Sequence, residues 1–241
     1  ASGGVVQSGN IGITQNSNTT TINQTTQHGI VQWQQFNVGS QQTVQFNVKN
    51  ASASTLNRVV GPDPSQIAGK INSNGMVIIE NQSGVVFLNG AQVNTNGLMV
   101  TAVGISNANY LAGKMVFDQG GNPNAKVVNQ GTITIKGAGL AALVAPAVRN
   151  SGTINARMGN VVLAGAQAVT LDMYGDGLVS VNVTRQVTQA PDGVTSLVTN
   201  DGVIRAAGGT VQLTAAAAGG VVQDLVAAGR RVSGHQGRHH A

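Results

Sequence analysis

Side chains able to act on a substrate are few in this sequence, and they are scattered. Its acids are Asp63, Glu80, Asp118, Asp172, Asp176, Asp192, Asp201 and Asp224. Glycan-cleaving chemistry needs clustered carboxylates, often beside Lys or Arg and a calcium ion. Only Asp172 and Asp176 lie close, in Leu171-Asp172-Met173-Tyr174-Gly175-Asp176-Gly177. That segment could offer oxygens to a cation, but an Asp-Gly turn with capping aspartates is the simpler account. His28 stands alone before the tail, beside Gly29, which suits a strand edge or turn better than catalysis. His235, His239 and His240 could hold a transition metal adventitiously, although a polar terminus explains them as well. No Ser/His/Asp set, phosphate loop or dinucleotide fingerprint is present. The sequence therefore predicts no enzyme, no cofactor and no metal site. Arg58 and Glu80 are the exception worth following: two charges in a charge-poor chain, fit either to pair between neighbouring turns of the chain or to meet a partner.

Composition says what kind of scaffold must position such groups. Charged residues are 9% of the 241, far below the usual quarter, while hydrophobic residues are 41%, which excludes charge-driven disorder. Asn, Gln, Ser and Thr carry the polarity, Gly numbers 33, and aromatics are 3%. Such a chain suits many short strands joined by tight turns, with a core of Val, Ile, Leu and Ala. The absence of cysteine excludes disulfides, thiolate metal sites and cysteine nucleophiles. The longest apolar run, Ala138 to Val148, is broken by Pro146 and is too short to cross a bilayer. The start at Ala1-Ser2-Gly3-Gly4 reads as a mature end left after removal of a leader. Of the net charge of +5, Arg230, Arg231 and Arg238 belong to the last twelve residues. Without them the basic residues number 13 − 3 = 10 against eight acids, so a nucleic-acid partner is not expected.

The elements follow from pattern. Thr43-Val44-Gln45-Phe46-Asn47-Val48 alternates strictly, placing Val44, Phe46 and Val48 on one face. Ile30 to Phe36 reads as a second half-buried strand between breaks at Gly29 and Gly39. Further on the chain repeats: Asn129-Gln130-Gly131-Thr132-Ile133, Asn150-Ser151-Gly152-Thr153-Ile154 and Asn200-Asp201-Gly202-Val203-Ile204. The first two units lie 152 − 131 = 21 residues apart and the third follows 202 − 152 = 50 later. A unit of 20 to 25 residues with one turn per coil predicts a stacked parallel β-solenoid. In it Asn129, Asn150 and Asn200 form a ladder, Gly131, Gly152 and Gly202 supply positive φ at a corner, and the following β-branched residue points inward. The Ala-rich stretches Leu140 to Val148 and Thr214 to Gly229 are read as narrow coils in preference to helices, because Gly pairs interrupt them. One domain is expected over 1–229, with a cap and first strands over 1–55, coils over 56–229, and a basic flexible tail over 230–241.

Leu56-Asn57-Arg58-Val59-Val60-Gly61, then Pro64-Ser65-Gln66-Ile67-Ala68-Gly69-Lys70-Ile71, then Asn74 to Phe87 form an ordered set of motifs. With Gly97 to Thr101, Leu140 to Pro146 and Leu171 to Leu178, this set resembles the two-partner secretion domain of filamentous haemagglutinin-like exoproteins. The segment Asn81-Gln82-Ser83-Gly84-Val85 lacks the proline of the family's Asn-Pro-x-Gly-Ile. The resemblance implies an all-β fold: a right-handed parallel β-helix with an N-terminal cap and short extra-helical strands. It implies export through the periplasm of a Gram-negative bacterium by an outer-membrane TpsB-type β-barrel transporter, which reads the chain before it folds at the cell surface. The matching positions for that recognition are Asn57, Arg58, Pro64, Ser65, Gln66, Ile67, Gly69, Asn81 and Gly84.

Three functions compete at this point. The first is the secretion domain of an adhesin-like exoprotein with a host or matrix surface as its ligand. The second is a structural solenoid stacking end to end into extracellular fibres, since a β-helix has unpaired backbone at both ends. The third, a carbohydrate-active enzyme, lacks the carboxylate cluster it needs.

Overall fold

In the computed structural model, the described residues are 1–173, 179–229 and 232–234. Three largely parallel sheets of nine, eight and six strands run along a solenoid, and the chain visits them in that order on every coil. One full coil is Lys70–Ser73, Met76–Asn81 and Val85–Phe87. The next begins at Gln92–Thr95 and stacks on it in register. Residues at the same position on successive coils therefore form columns. On the nine-stranded sheet one column is Val44, Ile71, Val93, Ile133, Ile154 and Ile204, all buried. The parallel β-helix expected from the repeats is the observed architecture.

The Ala-rich segment forms strands Leu140–Ala145 and Ala147–Asn150, with no helix between them. Within 1–55, where a cap and first strands are expected, the cap consists of the first two strands. Only Val5–Ser8 and Ile11–Gln15 are antiparallel, on His28–Trp33 and Thr19–Gln24. The coils proper begin at Thr19. Gly29 is no break but lies inside His28–Trp33, where a Cβ would meet Gln24 Oε1 at 2.3 Å. At the other end Val232–Gly234 pairs with Val203–Ala206, so the nine-stranded sheet continues past residue 229 into the expected tail.

The eight-stranded sheet differs from the other two. Met76–Asn81, Leu140–Ala145 and Asn160–Gly165 are buried at every position. Val77, Leu98, Ala141 and Val161 point into the solenoid, while Ile78, Met99, Ala142 and Val162 point out into a second apolar core. That core is closed by a four-stranded antiparallel sheet outside the solenoid and by the helix Asn107–Leu111. Two excursions build this sheet. Gly104–Ile105 and Met115–Gln119 come from one, Ala168–Met173 and Val179–Arg185 from the other, 21 and 50 residues being the coil spacings without and with the second excursion. Strands buried on both faces read as continuous apolar runs, as these do.

Candidate functional site

The motif residues converge on the coils between Ser54 and Phe87. Asn57 is fully buried: its Oδ1 accepts from Trp33 Nε1 at 3.0 Å, and its Nδ2 donates to the carbonyl oxygens of Ile78 (3.2 Å) and Thr55 (3.3 Å). It thus joins three successive coils. Asn81, also buried, donates from Nδ2 to Asp63 O and to Ser65 Oγ, both at 3.0 Å, while its Oδ1 accepts from Ser83 N at 2.9 Å. Ser83 Oγ donates to Pro62 O at 2.7 Å, closing a tie between two corners. Ile67 packs beneath Phe87 in the core. Gly69 permits close approach, because a Cβ there would stand 2.2 Å from Gly39 O. Gly84 has φ +109° and faces Lys126 O, which its Cβ would meet at 2.6 Å. Pro64 and Gln66 face solvent.

Arg58 and Glu80 make the ion pair anticipated between coils. They sit opposite one another in register, with Arg58 Nε donating to Glu80 Oε1 at 2.8 Å and Nη2 to Oε2 at 3.3 Å. Arg58 further donates to Ile105 O and Asn107 Oδ1, and Glu80 Oε2 accepts from Ile105 N at 3.3 Å. The pair therefore also ties the first excursion to the solenoid. Burial pushes the Glu80 carboxyl above its ordinary range, against the lowering effect of Arg58 and Ile105 N–H. Outside lies a cleft of about 400 Å³, lined by Arg58, Val60, Gly61, Gln82, Ser83 and Gln119 among others. A second tie is Tyr110, whose hydroxyl donates to Ser54 O at 2.9 Å and lies 2.7 Å from Ser54 Oγ. Burial pushes that hydroxyl up to about 12. His28 Nδ1 is 3.0 Å from the same Ser54 Oγ and its ring meets Tyr110 edge-on, so this histidine belongs to a packing contact.

The repeat residues form the expected ladder. Asn129 Nδ2 donates to Asn150 Oδ1 at 2.8 Å, and Asn150 Nδ2 to Asn200 Oδ1 at 2.7 Å, all three buried. The reading of their glycines needs correction. Gly131, Gly152 and Gly202 do not have positive φ. They are small because coils stack through them: a Cβ on Gly152 would lie 2.1 Å from Gly131 O, and one on Gly202 2.2 Å from Gly152 O. Those carbonyls accept from Thr153 N and Val203 N, each at 2.9 Å. Close approach, not a left-handed corner, demands glycine here.

The remaining candidates do not assemble. Asp172 lies on the strand Ala168–Met173, while Asp176 falls outside the described residues, as do Arg230, Arg231, Arg238, His235, His239 and His240. Among the described residues no three His, Cys, Asp or Glu come together as a metal site. No helix among them is long and apolar enough to cross a membrane.

A family model described as the TPS secretion domain matches residues 1–240. The chain belongs to the two-partner secretion domain family. The secretion domain of HMW1 from Haemophilus influenzae is similar in structure, with TM-score 0.77 and 29% identity, over 88% of this chain and 55% of that one. The filamentous hemagglutinin secretion domain shares the fold, with TM-score 0.53 and 17% identity, over 94% of this chain and all of that one. In sequence the chain is 30% identical over 202 residues to a heme/hemopexin-binding protein of Haemophilus influenzae, a stretch that is 78% of this chain. It spans 21% of that relative's length. The fold and secretion role expected from the motifs are thus those of the family.

Proposed function

We propose that this domain is the export address of a surface exoprotein, read by its outer-membrane β-barrel transporter while the chain is unfolded. One observation carries the reading: the side chains of Asn57, Ser65, Ile67 and Asn81 are buried once the coils have stacked. A partner can contact them only earlier. The same residues then serve as the first structural ties outside the cell, so recognition and folding exclude one another and bias the chain outward. A host or matrix surface as ligand, or binding of the kind in the Haemophilus relative's name, falls to chain beyond this domain.

The test compares binding of the transporter's periplasmic domains to the urea-unfolded and the native domain. Binding to the unfolded chain is expected to be at least about tenfold tighter and to weaken on Asn57→Ala and Asn81→Ala. Equal affinity for the native domain sinks the reading. End-to-end fibres are a poorer fit, because the antiparallel strands Val5–Ser8 and Ile11–Gln15 cover the first coil.

A further inference from the structure

The two excursions that form the outer sheet are anchored very differently. The first is fixed to the motif coils by Arg58, Glu80 and Ser54, through Ile105, Asn107 and Tyr110. The second pairs along Met115–Gln119, with Met115 opposite Leu171 and Phe117 opposite Val169. A long hydrogen bond joins its strands to the eight-stranded sheet, Gln212 Nε2 donating to Val181 O at 3.4 Å. Its hold there is mainly apolar: Val169, Leu171 and Val181 are buried over the outer face of that sheet. Without these strands, Met115–Gln119 would present a bare backbone edge beside an apolar floor. That combination is what accepts an added strand.

We infer that the edge of Met115–Gln119 and the floor beneath it form a strand-binding slot. Its ligand class is an extended peptide with apolar side chains at alternate positions. In the native domain the strand Ala168–Met173, with Val179–Arg185 paired on it, fills the slot from within the chain, and the two fill it last. Coils without an excursion, such as those joined through Met76–Asn81, close over separations near 21 residues, whereas this pairing spans 171 − 115 = 56 from Met115 to Leu171 and gains nothing until its platform exists. The slot is a property of the fold and does not depend on the transporter.

The probe is a fluorescent synthetic peptide of residues 168–185, titrated onto the full chain carrying Val169→Asp. Binding on the order of micromolar is expected, at least about tenfold tighter than to the wild-type chain, whose slot is occupied. A peptide with Asp in place of both Val169 and Leu171 should not bind. Pulse-labelled hydrogen exchange during wild-type refolding gives an independent readout, needed if V169D does not fold. Amides of Ala168–Met173 should gain protection about tenfold more slowly than those of Met76–Asn81. Simultaneous protection overturns the inference, and so does a folded V169D chain that ignores the peptide.

Discussion

The two halves of the solenoid solve the same stacking problem with different chemistry. On the six-stranded sheet a single inward column holds Ile67 and Phe87 in the first half, then Asn129, Asn150 and Asn200 in the second. Trp33, Phe36, Phe46 and Phe87 all pack in the first half, whereas Ala and Val dominate the coils after Lys126. Polar contacts follow suit. Before residue 88 buried polar groups meet partners of a different kind, as Trp33 meets Asn57 and Arg58 meets Glu80. After residue 126 Asn meets Asn. Unlike partners admit one register, because a shifted coil would leave them unsatisfied in the core. Like partners would accept a coil displaced by a whole repeat. The first half thus defines the register that the second half copies.

The hardest blow to that asymmetry is Arg58→Met. It leaves the Glu80 carboxylate buried opposite Ile105 N–H alone, at a cost of about 3 kcal/mol near neutral pH. Glu80 already has a raised native pKa, with burial as the leading cause. The native state then holds a proton that the unfolded state has lost, so stability falls as pH climbs from the ordinary glutamate range through the raised value. Removing Arg58 takes away an influence that lowers this pKa, and the falling window extends further toward neutrality. Urea unfolding at acid and neutral pH should show the variant regaining part of its deficit in acid. An unchanged pH profile would detach the pair from stability.

Next in size is Asn150→Leu, which puts into the second half the kind of residue the first half uses at this column. It strands Asn129 Nδ2 and removes the donor to Asn200 Oδ1, and about 2 kcal/mol should be lost in urea unfolding. Replacing Asn129, Asn150 and Asn200 together by Leu should cost less than the sum of the three single changes, because no half-broken pair remains. Strict additivity would mean the ladder is not a coupled unit.

The ladder was legible in the sequence because its residues repeat, and so was the Arg58–Glu80 pair, because charges are rare enough to stand out. The second core stayed hidden. Period-two alternation marks strands with one wet face, and neither Met76-Val77-Ile78-Ile79 nor Leu140-Ala141-Ala142-Leu143-Val144 alternates. Their lack of alternation was itself the sign that both faces are covered. The glycine column misled for a related reason. A Gly after Asn announces a turn locally, but the demand at Gly152 comes from a carbonyl 21 residues earlier in the chain. The 50-residue interval likewise hides a coil of ordinary size, since the insertion leaves and returns at one corner.

The smallest change tests where the copying stops. The donors of the ladder all point toward the C-terminal end, each Nδ2 reaching the Oδ1 of the following coil. At Asn200 the series ends: its Nδ2 is buried without a partner, and the residue in register above it is Ala228. An unmade buried hydrogen bond weakens the grip of the last coil. Ala228→Asn would supply the missing oxygen at the right place in the column. The expected gain is about 1 kcal/mol, read as slower amide exchange in Asp224–Ala228 with little change in Lys70–Ser73. Asn200→Ala in the same background should abolish the gain. If Ala228→Asn slows exchange equally without Asn200, the ladder's direction has no bearing on how the last coil is held.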